Sequence, residues 1–181
     1  NPELNFDPYS KYGGVGSKPD YKKGYWIVMQ HPVTNELRDS RKQIEITLNT
    51  LKSINETVFI FWPNIDVGSD GTSTGIRAFR ENNKLNSFHF FKNMEPKDFL
   101  KLLYNSKGII GNSSVGIREC AYLGIPAINI GTRQNKRMRS KNVYDVRHNN
   151  NEIKNAIHKL RGIKKIKNSL IYGNGNSGKK I

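Results

Sequence analysis

Residues 107–131, KGIIGNSSVGIRECAYLGIPAINIG, constrain this chain more than any other stretch. Gly108-Ile109-Ile110-Gly111 is a short apolar run, the kind buried on both faces of a sheet. It breaks into Asn112-Ser113-Ser114-Val115-Gly116, small and mostly polar, and Ile117 to Leu123 then reads as a short helix stopped by Gly124 and Pro126. Ala127 to Ile130 is a second buried strand. Strand, tight turn, helix and strand make a βαβ unit, which predicts an α/β fold around a parallel sheet. The start of such a helix offers unpaired backbone N–H groups and a positive dipole end, an anion site with two serine hydroxyls beside it. Ser113 and Ser114 are therefore candidate phosphate ligands, although an isolated serine at this place more often simply caps the helix. Glu119, in the first turn, is placed to accept from a ribose diol.

The rest of the chain repeats the pattern. Residues 25–30 form a continuous apolar strand ending in His31-Pro32-Val33-Thr34-Asn35, and ligand crevices in open α/β sheets lie beyond such strand ends. His31 is thus a candidate site residue. A helix over 36–54 follows, burying Leu37, Ile44, Leu48 and Leu51 at helical spacing. Residues 57–62 are a second strand, leading into a polar loop where Asn64 is the expected ligand contact; Asp66 and Asp70 lack the spacing of a calcium loop. A third strand at 87–91 precedes a helix over 96–105, with Met94 and Phe99 as core residues that could flank a flat base and His89 as a structural residue. A basic loop over 132–141 is suited to a diphosphate. Arg133 is its candidate grip, whereas Lys136, Arg137, Arg139 and Lys141 read as solvated. A last strand at 142–146 and a helix at 151–160 complete the pattern.

Charge narrows the partners. The 181 residues carry 30 Lys and Arg against 15 Asp and Glu, a net charge of +15, which suits polyanions and phosphorylated ligands. The basics are scattered, and no zinc-finger spacing, RNP-type aromatic motif or helix-turn-helix accompanies them, so nucleic acid is not the expected partner. No apolar run spans a membrane, and the absence of a signal-peptide pattern with one cysteine, Cys120, points to a reducing, cytoplasmic setting. Cys120 reads as a core residue. Residues 1–24, rich in Gly, Pro, Tyr and Lys, read as a linker or lead-in, and a start without Met reads as a cut from something longer. The glycine-rich stretch 173–180 nearly matches a P-loop but lacks the Ser/Thr after its lysine and follows no buried strand.

Four blocks in order, each at an expected strand end, carry a family resemblance: Gln30-His31-Pro32-Val33-Thr34, Pro63-Asn64-Ile65-Asp66, Gly111-Asn-Ser-Ser114 with Arg118-Glu119, and Gly131-Thr-Arg133-Gln134. Together they resemble the UDP-N-acetylglucosamine 2-epimerases, in particular the hydrolysing branch that makes N-acetylmannosamine for sialic-acid pathways. Tyr172-Gly-Asn-Gly175 fits the stretch that precedes the family's final helix, which looks truncated here. The resemblance implies a Rossmann-like doubly wound parallel sheet forming one half of a glycosyltransferase-B-type two-domain fold. Residues 25–181 would be the carboxy-terminal, UDP-binding half, with the amino-terminal catalytic half absent. It also implies a UDP-sugar substrate, no cofactor and no metal, and a homo-oligomer at full length. Carried over, His31 would lie near the diphosphate and reacting sugar, Ser113, Ser114 and Arg133 would bind phosphate, and Glu119 would bind ribose. Asn64, Met94 and Phe99 would line the uridine side. A UDP-diacetylbacillosamine epimerase or a glycosyltransferase half would share most of these motifs.

Overall fold

Side chains on successive strand residues point to opposite faces, so a strand that is apolar throughout demands a layer on both sides of its sheet. In the computed structural model, which describes residues 3–63 and 69–174, β2 (Tyr25–Met29) sends Trp26 and Val28 into one hydrophobic cluster and Tyr25 and Ile27 into another. β3 (Thr57–Phe61) repeats this, with Val58 and Ile60 on the first face and Phe59 and Phe61 on the second. The first face is covered by α2 (Ser40–Ser53), α3 (Ser69–Glu81) and α7 (Asn150–Leu160), through Ile44, Leu48, Ile76 and Ile157 among others. α4 (Pro96–Tyr104) covers the second with Leu102 and Leu103.

β4 (Phe88–Phe91), β5 (Gly108–Gly111), β6 (Ala127–Ile130) and β7 (Val143–Val146) join β2 and β3 in parallel, and β1 (Val15–Gly16) adds antiparallel to β4. The order is β1-β4-β3-β2-β5-β6-β7. Setting the edge strand β1 aside, this is the dinucleotide-fold arrangement in which the chain works outward from β2 in one direction and then returns to its other side at β5. The pairs Met29↔Gly111 and Gly111↔Asn129 bring the carboxyl ends of β2, β5 and β6 level. The switch of direction, where such sheets open a crevice, therefore falls between His31 and Asn112.

The structure departs from the sequence pattern in three places. The helix expected over 36–54 is a 3-10 turn, Thr34–Asp39, kinked at Glu36, with α2 starting only at Ser40, and Leu37 stays half-buried. The helix expected over 117–123 is two pieces, α5 (Ser114–Ile117) and α6 (Glu119–Leu123), separated at Arg118. The lead-in contains packed structure, with α1 (Pro8–Tyr12) capped by Asp7 and Tyr9 buried against Phe59, Phe91 and His89. Dispersed aromatics among glycines and prolines hide this from any periodicity test, because each packs individually. His89 is structural, its ring nitrogens 2.7 Å from the carbonyl oxygens of Gly13 and Ser17, so it pins the lead-in to β4. Among the described residues, no helix is long and apolar enough to cross a membrane.

Candidate functional site

The end of β5 reaches the end of β2 because position 111 has no side chain. Gly111 has φ +133°, and a Cβ there would lie 2.1 Å from the Met29 carbonyl oxygen. The next residue, Asn112, is fully buried and acts as a clip. Its Oδ1 accepts from the His31 backbone N–H at 2.7 Å, and its Nδ2 donates to the His31 carbonyl at 2.8 Å. Its own carbonyl accepts from Gln134 Nε2 at 2.8 Å and from an Arg133 guanidinium nitrogen at 3.3 Å. One asparagine thus ties together the loops after β2, β5 and β6, satisfying backbone groups that would otherwise be buried without partners. Sequence reading named His31 and Arg133 but gave Asn112 and Gln134 no role. An asparagine directly after a buried strand and before a helix cap was the available signal.

Ser113 is the N-cap of α5, its hydroxyl accepting from the Val115 N–H at 3.4 Å, and Ser114 is the first, half-buried residue of that helix. The bland capping role read for an isolated serine is the one Ser113 fills. α5 spans four residues and breaks at Arg118 (φ −100°, ψ −68°), too short to sum a helix dipole. Any anion held here depends on individual hydroxyl and N–H donors and on the exposed Arg133.

Glu119 opens α6 and faces a groove of about 370 Å³ that is also lined by Leu100, Arg118, Tyr122, Ser169 and Tyr172. Its Oε2 is buried with no hydrogen-bond partner, an unsatisfied acceptor beside this groove. A second opening, about 480 Å³, lies between Pro32–Asn35 and Thr132, Arg133 and Asn135, where the Thr132 hydroxyl donates to the Glu36 carboxylate. Met94 is buried in the core, and Phe99 is half-buried with its ring at right angles to Phe61, 5.2 Å between centroids, so both pack as core residues. Asn64 and Asp66 lie outside the described residues, as does most of the near P-loop. Cys120 is fully buried, and burial, with the neighbouring Glu119 charge, pushes its thiol above the ordinary range, as suits a core residue. No group of three or more His, Cys, Asp or Glu among the described residues could hold a metal ion.

The basic loop divides differently from expectation. Lys136, Arg137 and Lys141 are exposed, as read. Arg139 is not a solvated residue: it forks onto the Asp145 carboxylate and donates to the Gln134 and Arg137 carbonyls.

A profile of the family described as UDP-N-acetylglucosamine 2-epimerase matches residues 9–181. The chain belongs to this family. It is 29% identical over 165 residues to the UDP-N,N'-diacetylbacillosamine 2-epimerase (hydrolyzing) of Legionella pneumophila, a match covering 91% of this chain and 42% of the relative. It is 27% identical over 155 residues to the UDP-N-acetylglucosamine 2-epimerase of Neisseria meningitidis serogroup B, covering 86% and 40%. The fold is similar to that of the Neisseria meningitidis UDP-GlcNAc 2-epimerase solved bound to UDP-GlcNAc, with a TM-score of 0.69 at 16% identity, covering 88% of this chain and 44% of that one. The chain spans about two fifths of the length of the curated relatives it matches. In this epimerase-family chain, the His31, Asn112–Ser113 and Arg133 blocks that carried the resemblance meet at the switch of the sheet.

Proposed function

We propose that the chain is the UDP-binding, carboxy-terminal half of a hydrolysing UDP-N-acetylglucosamine 2-epimerase of the sialic-acid-pathway type. The single observation behind this reading is the Asn112 clip, which ties the loops carrying His31 and Arg133 to the loop carrying Ser113, with the partnerless Glu119 Oε2 a few residues further on. A nucleoside diphosphate has matching chemistry: phosphate oxygens for the serine hydroxyls and guanidinium, and a ribose diol to donate to Glu119.

In the full enzyme, UDP leaves the sugar to give a 2-acetamidoglucal, and water then adds so that C2 ends inverted, releasing N-acetylmannosamine and UDP. This half stabilises the departing diphosphate, with Arg133 countering the charge that builds on it and His31 next to the reacting sugar. The proton-transfer carboxylates come from an amino-terminal half. The chain by itself therefore binds UDP weakly and turns nothing over, while the full enzyme works in the cytoplasm as a homo-oligomer without a cofactor. A second reading, with UDP-diacetylbacillosamine as substrate, is favoured by the name of the Legionella relative and uses the same residues of this half.

Calorimetric titration with UDP, UMP and pyrophosphate tests the reading, repeated with Arg133→Ala and Glu119→Ala. Selective UDP binding weakened by both changes is expected. Equal binding of all three anions, indifferent to both changes, would sink it, and a steep salt dependence without preference for UDP would favour a general polyanion surface.

A further inference from the structure

Arg139 makes more hydrogen bonds than any ordinary surface arginine needs. Its Nε and one terminal nitrogen meet Asp145, at 2.9 Å and 3.1 Å for the shorter contacts, while its other terminal nitrogen donates to the carbonyls of Gln134 at 2.9 Å and Arg137 at 2.8 Å. Asp145 in turn accepts from Asn129 Nδ2 at 2.6 Å, so the pair is anchored in the sheet through β6 and β7. Partial burial raises the Asp145 carboxyl, but the Arg139 and Asn129 bonds outweigh it and hold the group below its ordinary value.

The two carbonyls that Arg139 grips flank Lys136, a non-glycine residue at φ +69°. That conformation costs on the order of 1 kcal/mol and persists only where neighbours impose it. Gln134, on the near side of the strained residue, passes the restraint on. Its Nε2 bonds to the Asn112 carbonyl, and the Asn112 side chain holds the His31 backbone. A chain of hydrogen bonds therefore runs from β7 through the basic loop to the far side of the crevice. Asp145 is half-exposed, so the ion pair adds little to global stability, and its effect falls on the loop it orders.

We infer that Arg139 and Asp145 are a positioning pair for the anion-binding loop, holding Arg133 and, through Gln134 and Asn112, His31 in register with the phosphates of a bound nucleoside diphosphate. This rests on the UDP-binding reading above. Arg139 acts through Arg133 and does not itself touch the ligand. A lysine could keep the charge opposite Asp145 but not reach both carbonyls at once, so Arg139→Lys fails to restore the loop.

A double-mutant cycle in this chain separates positioning from contact. Arg139→Gln weakens UDP binding by about tenfold while Tm stays within about 2 °C, and in an Arg133→Ala background the same change costs less than about twofold. Equal losses in both backgrounds would mean a direct or independent contribution, and no loss in either would mean that the pair only decorates the surface; both overturn the proposal. Lys136→Gly, which removes the backbone strain, restores part of the affinity lost in Arg139→Gln. Amide chemical shifts of the ligand-free chain give a readout that does not depend on nucleotide binding: Arg139→Gln moves the Gln134, Asn112 and His31 resonances. Failure of the wild type to bind UDP counts against the nucleotide reading alone, whereas unmoved His31 and Asn112 amides count against the positioning pair.

Discussion

The same strands carry a polar cluster at each end, and the two clusters are finished differently. At the amino ends of β2, β3 and β5, Glu56 accepts from Trp26 Nε1, Lys107 Nζ and Arg161 Nε, each at 2.8 Å. Its side chain is 11% exposed, and two cations neutralise it. At the carboxyl ends, by contrast, buried polar atoms stay open: Glu119 Oε2, Gln134 Oε1 and both ring nitrogens of His148 have no partner. A satisfied network stiffens and anchors, here α7 to the floor of the sheet; an unsatisfied one costs stability and persists where something else supplies the missing bond. The Glu56 cluster holds the fold together; under the proposed function, a nucleoside diphosphate supplies bonds at the carboxyl ends.

The change with the largest expected effect strikes the carboxyl ends of β2 and β5, where the two strands meet. Gly111→Ala puts a methyl into the Met29 carbonyl and an L side chain at φ +133°, costing about 3 kcal/mol or more. Chemical denaturation measures it, and a variant of near-wild-type stability would mean that β5 can back away from β2 without loss.

Next comes a change confined to the floor. Glu56→Gln lowers stability by about 2 kcal/mol while leaving UDP affinity alone. Burial raises the Glu56 carboxyl, but bonds from Lys107, Trp26 and Arg161 prevail and hold it below its ordinary 4.5. The folded pKa is depressed, so the stabilisation is present above pH 4.5 and is lost as pH falls through the folded value. Wild type should lose stability on acidification more steeply than Glu56→Gln, and identical pH profiles would remove Glu56 from the account.

At the carboxyl ends the pattern inverts. Glu119→Gln is expected to weaken UDP by about tenfold with Tm little changed, because Glu119 Oε2 makes no hydrogen bond that the folded chain would lose. A clear loss of Tm without loss of affinity would make Glu119 a floor-type residue after all.

The smallest effect belongs to His148, whose ring lies where a Gly131 Cβ would be. Desolvation lowers its pKa against the opposing pull of Glu36 and Asp39. Since the unfolded chain takes up this proton more readily, stability falls as pH drops below the ordinary 6.5, by on the order of 1 °C in Tm. His148→Gln should flatten that slope, and an unaltered slope would assign it to another group.

Much of the fold was legible because the five inner strands are largely apolar on both faces, and such strands admit a parallel sheet with helices on each side and little else. The lead-in was not, since Tyr9 and His89 act through long-range contacts that no local pattern announces. The split between α5 and α6 was hidden for a related reason: Ser113 signals a cap, but nothing in the chain marks Arg118 as a break. Of the candidate site, His31, Ser113 and Arg133 could be named because each follows a strand. Arg139 could not, since it sits in a loop rich in exposed basic residues and its partner Asp145 lies on β7.

The sequence by itself determined which segments form the six parallel strands and placed the candidate site residues after β2, β5 and β6, because hydrophobic patterning and turn residues act over a few neighbouring positions. Only the tertiary structure decided that Asn112 joins those three loops, that Arg139 orders one of them, and that Glu119 is left with an open oxygen. Those outcomes depend on which strands lie side by side, and strand order is set by packing over the whole sheet rather than by any local run of residues.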